Sequence, residues 1–100
     1  MRNELEASFG RTLRLLATHL IKNAEPVPSA TLQGARAFEE FTWDKLGGGE
    51  QKELLGRIVA ETGPGSSVER HFEHYPHPFS KNRYAEYVLT LRSYQDSLQA

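Results

Sequence analysis

Residues 3–23 read NELEASFGRTLRLLATHLIKN, and the fold follows from how the large apolar residues are spaced there. Leu5, Phe9, Leu13, Leu16 and Leu20 recur at intervals of four, four, three and four. That spacing lays them in one stripe along an α-helix, with Arg11 and Arg14 between them, and predicts a helix from about Asn3 to Asn23. Gly10 sits inside the pattern, where it costs about 1 kcal/mol relative to alanine. The close approach of another element would account for it. Asn23 is an acceptable helix end, and Pro26 and Pro28 forbid continuation.

The same period recurs downstream. Ser29 or Thr31 is placed to cap a second helix, in which Leu32, Ala35, Phe38, Thr42 and Leu46 keep helical spacing, from about Ala30 to Lys45. Phe41 and Trp43 fall off that line, and Gly47-Gly48-Gly49 reads as the stop. Glu50 to Thr62 forms a third helix with Leu54, Leu55, Ile58 and Val59 inward, closed by Gly63-Pro64-Gly65. Ser66-Ser67-Val68-Glu69 matches a capping box and opens a short helix from Ser67 to about His74. Pro76 and Pro78 break it. Ser80 then caps a last helix, Lys81 to about Leu98, whose inward face is Tyr84, Tyr87, Val88, Leu91, Gln95 and Leu98. No segment alternates long enough for a strand. The expected fold is all-α, a compact bundle of four main helices plus one short helix, with residues 1–100 forming one domain.

Composition narrows the function classes. The chain has no cysteine, which removes disulfides, thiol catalysis and thiolate metal sites. Thirteen acids against twelve bases give a net charge of −1, which argues against a bulk binder of nucleic acid or anionic membrane. No apolar run approaches the roughly 20 residues of a membrane span, and the acids Glu4 and Glu6 stand where a secretory signal would need an apolar core. A cytoplasmic protein is expected. The acids are unevenly placed: residues 25–61 hold seven acids and four bases, against two and four in residues 1–24.

No arrangement of residues names a reaction. None of the serines lies in Gly-x-Ser-x-Gly, and the glycine triplet lacks the Gly-Lys-Ser/Thr of a phosphate loop. The chain reads as a non-enzyme without a cofactor. His71, His74 and His77 recur every third residue beside Glu69 and Glu73, and they are the candidate metal ligands. His77 lies between two prolines, outside the helical face that His71 and His74 share. Helices two and three with their glycine turn have the outline of a helix-turn-helix. The would-be recognition helix, however, opens on Glu50 and Glu53, where phosphates would sit.

The segment that stands out is Phe38-Glu39-Glu40-Phe41-Thr42-Trp43-Asp44. It places three of the ten aromatic residues and three of the thirteen acids in seven positions. Phe38 and Thr42 face the expected core. Glu39, Glu40, Phe41, Trp43 and Asp44 cannot all do so, and they form a candidate binding face of aromatic anchors beside carboxylates. The alternative is that Trp43 also packs inward. A second candidate surface, His74-Tyr75-Pro76-His77-Pro78-Phe79, is aromatic and stiffened by proline.

In size, cysteine-free composition, lack of a catalytic motif and acidic–aromatic middle helix, the chain resembles small bacterial immunity proteins that neutralise nuclease toxins, such as those of contact-dependent growth-inhibition systems. The resemblance implies a one-to-one complex with a toxin domain, expected to be basic. Glu39, Glu40, Phe41, Trp43 and Asp44 would hold it, with help from Tyr75 and His77, and without direct contact to nucleic acid or membrane. The competing expectations are a histidine-based metal-binding domain and a DNA-binding regulator.

Overall fold

A computed structural model describes residues 4–99, except for the side chains of residues 78–80. It contains five α-helices: α1 (Glu4–Lys22), α2 (Ser29–Glu39), α3 (Gly48–Thr62), α4 (Ser67–His74) and α5 (Pro78–Gln99). A single 3₁₀ turn, Trp43–Lys45, lies between α2 and α3. No strand occurs among the described residues, and the fold is an all-α bundle.

Helix α1 is the central element. Phe9, Leu13, Leu16 and Leu20, the stripe seen in the sequence, are buried with Ala17. They pack against α2 on one side and α5 on the other, while α2 also packs on α3. Phe9, near the start of α1, stacks on Tyr94, near the end of α5, with centroids 5.1 Å apart. The two helices therefore run antiparallel. At Gly10 an added Cβ would lie 2.5 Å from the Phe38 ring. The glycine thus lets α2 approach closely enough for Phe38 to contact the Phe9 ring edge-on at 5.7 Å. The helix-propensity cost of Gly10 is offset by this aromatic packing.

Both long connections begin with the same backbone device. At the end of α1, the Glu25 N–H donates to the Leu20 carbonyl at 2.9 Å and the Ala24 N–H to the Ile21 carbonyl at 3.1 Å. At the end of α2, the Thr42 N–H donates to the Ala37 carbonyl at 2.7 Å and the Phe41 N–H to the Phe38 carbonyl at 3.3 Å. These are Schellman caps, which require one residue in the left-handed region, usually glycine. Here the residues are Ala24, at φ 56°, and Phe41, at φ 59°.

The second cap corrects the expected course of helix two. It ends at Glu39 and not at Lys45, and no glycine in the sequence marks the stop. The glycine triplet has a different role. Gly47 precedes α3, and Gly48 and Gly49 form its first turn. The reversal at Phe41 swings Trp43 off the outside of the expected helix and into the core. The indole stacks on Phe38 at 4.5 Å and 17°.

The start of α2 also differs from expectation. Neither Ser29 nor Thr31 caps it. Glu61, from the far end of α3, accepts the Ala30 N–H at 3.1 Å, the Thr31 N–H at 2.8 Å and the Thr31 hydroxyl at 2.9 Å. A carboxylate at a helix N-terminus satisfies orphan donors and opposes the helix dipole. It also ties α2 to α3. The capping box of α4 forms as expected in its first half: Ser66 Oγ accepts the Glu69 N–H at 3.2 Å. Glu69 reaches one residue further back, to the Gly65 N–H at 2.9 Å. Helix α5 begins at Pro78, a residue suited to a first helical position because its missing N–H would have no partner there. The expected cap at Ser80 falls on a side chain outside the described residues.

Candidate partner-binding surface

The acidic–aromatic segment divides at Phe41. Trp43 has no exposed surface. Its Nε1–H donates to the Tyr94 hydroxyl at 3.0 Å, and its ring meets Phe9 at 6.2 Å. The Gln51 side chain donates to the Trp43 carbonyl at 3.1 Å, holding the 3₁₀ turn against α3. Trp43 is therefore a core residue, and its expected place as a surface anchor is withdrawn. Burying a large aromatic with its one donor satisfied stabilises the bundle more than exposure on a helix surface would.

Phe41 is the reverse. It is 73% exposed, more than any other large apolar side chain described. Among the described residues it is the one exposed Phe, Tyr or Trp. It also holds a left-handed conformation that costs a residue with a Cβ about 1–2 kcal/mol. Glycine would make the same turn without that strain and without an apolar ring in water.

The surroundings of Phe41 carry both signs of charge. Glu39, Glu40 and Asp44 are exposed. On the other side, Phe41 and the edge of Phe38 line a pocket of about 300 Å³ with Ala7, Gly10, Arg11 and Arg14 of α1. The Arg14 Nε–H donates to the Gly10 carbonyl at 3.2 Å, which holds that guanidinium along the pocket wall. In the sequence Arg11 and Arg14 stand out only as the polar side of the first helix. Their relation to Phe41 depends on the chain reversal between α2 and α3, which the local sequence pattern does not signal. Glu40 faces a separate, more open depression with Arg36, Thr42 and Leu46. Glu40 lies over a different depression, shared with Arg36, from the one that Phe41 shares with Arg11 and Arg14.

The second candidate surface lies elsewhere. Tyr75 is half-buried, its ring set edge-on against His19 at 4.9 Å, and His77 is exposed. Arg14 and His19 are separated by about 140° around α1, given 3.6 residues per turn. Phe41 and Tyr75 thus stand over different sides of that helix. The Phe79 side chain lies outside the described residues.

The three candidate metal ligands do not converge. His71 turns inward, where its Nε2 is 3.0 Å from His19 Nε2 and its Nδ1 is 3.6 Å from a Glu25 carboxylate oxygen. His74 Nδ1 instead contacts the Arg70 carbonyl at 2.8 Å, one turn back on its own helix. Among the described residues, no three histidine, cysteine or acidic side chains are grouped to hold a metal ion. His19, which the sequence left isolated, is the true neighbour of His71. Burial pushes the His19 imidazole below its ordinary value, with the charges of His71 and Arg83 adding to the effect.

Comparison of the chain with protein-family models, with curated proteins and with solved structures finds no match. No helix among the described residues is long and apolar enough to cross a membrane.

Proposed function

We propose that this protein is a binding module that occludes a partner protein in the cytoplasm. In this reading it is an immunity protein that neutralises a toxin domain, of nuclease type, in a one-to-one complex. The observation that carries the reading is Phe41: an exposed aromatic ring held in a strained backbone position that glycine would fill at lower cost. Strain retained at an exposed apolar residue supports a role in contact. A rigid aromatic loses little side-chain entropy on binding and is a common hot-spot residue.

The partner inserts Phe41 into an apolar recess. It sets cationic groups against Glu39 and Glu40 and an acidic group near Arg11 and Arg14. A partner with a basic surface beside that recess fits the acidic flank, and charge matching of this kind speeds capture. The protein acts by covering a surface and not by turning over a substrate.

The test is growth protection. The reading frame adjoining this gene, where the proposed toxin partner is sought, is induced in bacterial cells with either the wild-type protein or the Phe41→Gly variant. The wild type is expected to restore growth and the variant to fail while accumulating to the same level. Equal protection by both proteins, or none by the wild type, would overturn the proposal.

A further inference from the structure

The contact between His19 and His71 ties two helices together through titratable groups. Helix α4 is two turns long and packs chiefly on α3 and α5. Its one hydrogen bond to α1 among the described residues is the imidazole pair, whose Nε2 atoms are 3.0 Å apart. That distance fits one proton held between two nitrogens, one donating and one accepting. Glu25, at 3.6 Å from His71 Nδ1, favours a proton on that outer nitrogen. Around the pair, His19 stacks on Phe72 at 4.6 Å, and Tyr75 contacts both imidazoles, at 4.9 Å and 5.5 Å. Ring packing thus joins the histidines to the start of the Tyr75–His77 connection.

We propose that His19 and His71 form an acid-released latch, which holds the Tyr75–His77 connection on α1 while the pair shares one proton and frees it when both rings are protonated. A second proton places N–H against N–H, so the hydrogen bond becomes a repulsion between two cations. Every charged or titratable group facing the pair enters the balance. From the connection after α1, Glu25 offsets one positive charge. From α5, Arg83 opposes a charge on His19. Glu86 and Tyr84, also from α5, line the pocket beside His19, and Tyr84 stays neutral below strongly alkaline pH. Once both imidazoles are charged, two cations meet across 3.0 Å, with Glu25 and Glu86 as the facing carboxylates and Arg83 as a further cation beside His19.

The sign follows from His19. Its folded-state value lies below the ordinary 6.5. The neutral form supports the latch fully above pH 6.5, and that support is lost as pH falls toward the lower folded value. The latch is independent of the Phe41 reading and needs no partner for its test.

The experiment follows the four histidine Cε1–H resonances, the Tyr75 ring signals and amide exchange of the full-length chain, from about pH 8 to about pH 4.5. The expected result is coupled titration of His19 and His71. With it come a shift of the Tyr75 ring signals and a loss of protection at α4 amides, taken against the intrinsic exchange rate at each pH, by up to about tenfold per pH unit in the second step. Amides of α1 and α2 should stay protected. His19→Gln keeps a hydrogen-bonding side chain that cannot be protonated and should abolish the acid step, whereas His74→Gln should preserve it. Independent titration of His19 and His71 in the wild type, or an unchanged acid step in His19→Gln, would overturn the proposal. Should His19→Gln not fold, His71→Gln and the wild-type titration decide the matter.

Discussion

The indole nitrogen of Trp43 and the hydroxyl of Tyr94 are hydrogen-bonded at 3.0 Å, although 51 residues separate them in sequence. Both side chains are almost fully buried. The pair fixes the 3₁₀ turn to the C-terminal part of α5 and places the aromatic cluster of Phe9, Phe38, Trp43 and Tyr94 at one end of the bundle. Tyr94→Phe leaves the indole N–H without its acceptor and should cost about 1–3 kcal/mol. Trp43→Ala should cost about 3–5 kcal/mol, enough to threaten folding. Urea unfolding followed by circular dichroism measures both. A Trp43→Ala protein as stable as the wild type would mean that the indole is not in the core.

Two glycines should respond oppositely to alanine. At Gly10 the added methyl meets the Phe38 ring, which is held between Phe9 and Trp43 and cannot move aside. Gly10→Ala should destabilise by about 1–3 kcal/mol despite the better helix propensity. At Gly56, inside α3, an added Cβ meets nothing within 4 Å. Gly56→Ala should stabilise by up to about 1 kcal/mol. Thermal unfolding distinguishes them, since a kilocalorie shifts the midpoint by about 4–8 °C in a domain of this size.

Glu61 makes three hydrogen bonds to the start of α2. Glu61→Ala removes a cap and an interhelix tie, and should cost about 1–2 kcal/mol. Amide exchange should speed most at Ala30 and Thr31. Unchanged protection at those two amides would contradict the capping role.

The alkaline limb of stability should report the tyrosines. Burial, aided by the charge of Glu69, pushes the Tyr84 hydroxyl up to about 12, and burial pushes Tyr87 further in the same direction. Tyr84 donates to the Thr62 carbonyl at 2.6 Å, and the Tyr87 hydroxyl shares a hydrogen bond with Thr62 Oγ1 at 2.8 Å. An unfolded tyrosine ionises near pH 10, so the stability these groups confer is complete below about pH 10 and is lost as pH rises through about 12. Phenolate absorbance from these two residues should appear together with loss of helicity. Free ionisation of both in the folded protein would contradict their burial.

Helical period carried most of the fold. The stripe from Phe9 to Leu20, the apolar face of α3 and the Ser66 cap of α4 are local patterns, and they appear where expected, whereas Leu5 at the head of the stripe is exposed. The misses share one cause: they depend on contacts across the chain. Nothing near Glu39 marks the end of α2, because the left-handed position there is a phenylalanine and not the usual glycine. That one reversal decides which of Phe41 and Trp43 is buried. Glu61 as the cap of α2, and Tyr94 in place of Gln95 on the inner face of α5, likewise need the packed bundle to be seen. His19 and His71 stand 52 residues apart in sequence. Spacing alone drew His71 toward His74 and His77, whereas packing of α4 near α1 gave it a different partner.

The backbone at the two Schellman caps separates strain from contact. Ala24 and Phe41 occupy equivalent left-handed positions, so Ala24→Gly and Phe41→Gly should each stabilise the fold by about 1 kcal/mol. Their effects on binding should differ, because only Phe41 presents a large exposed ring. Differential scanning calorimetry of the two variants checks the first statement. A destabilised Phe41→Gly protein would show that the ring supports the fold.

The account turns on whether Phe41 anchors a partner. The direct measurement is the dissociation constant of the proposed partner, sought as the product of the adjoining reading frame, determined by calorimetry for the wild type, Ala24→Gly and Phe41→Gly. The account predicts tight one-to-one binding by the first two proteins and a loss of about thirtyfold or more for Phe41→Gly, the mark of a hot-spot residue worth at least about 2 kcal/mol. Equal affinity of all three proteins, or no binding by the wild type, would contradict it.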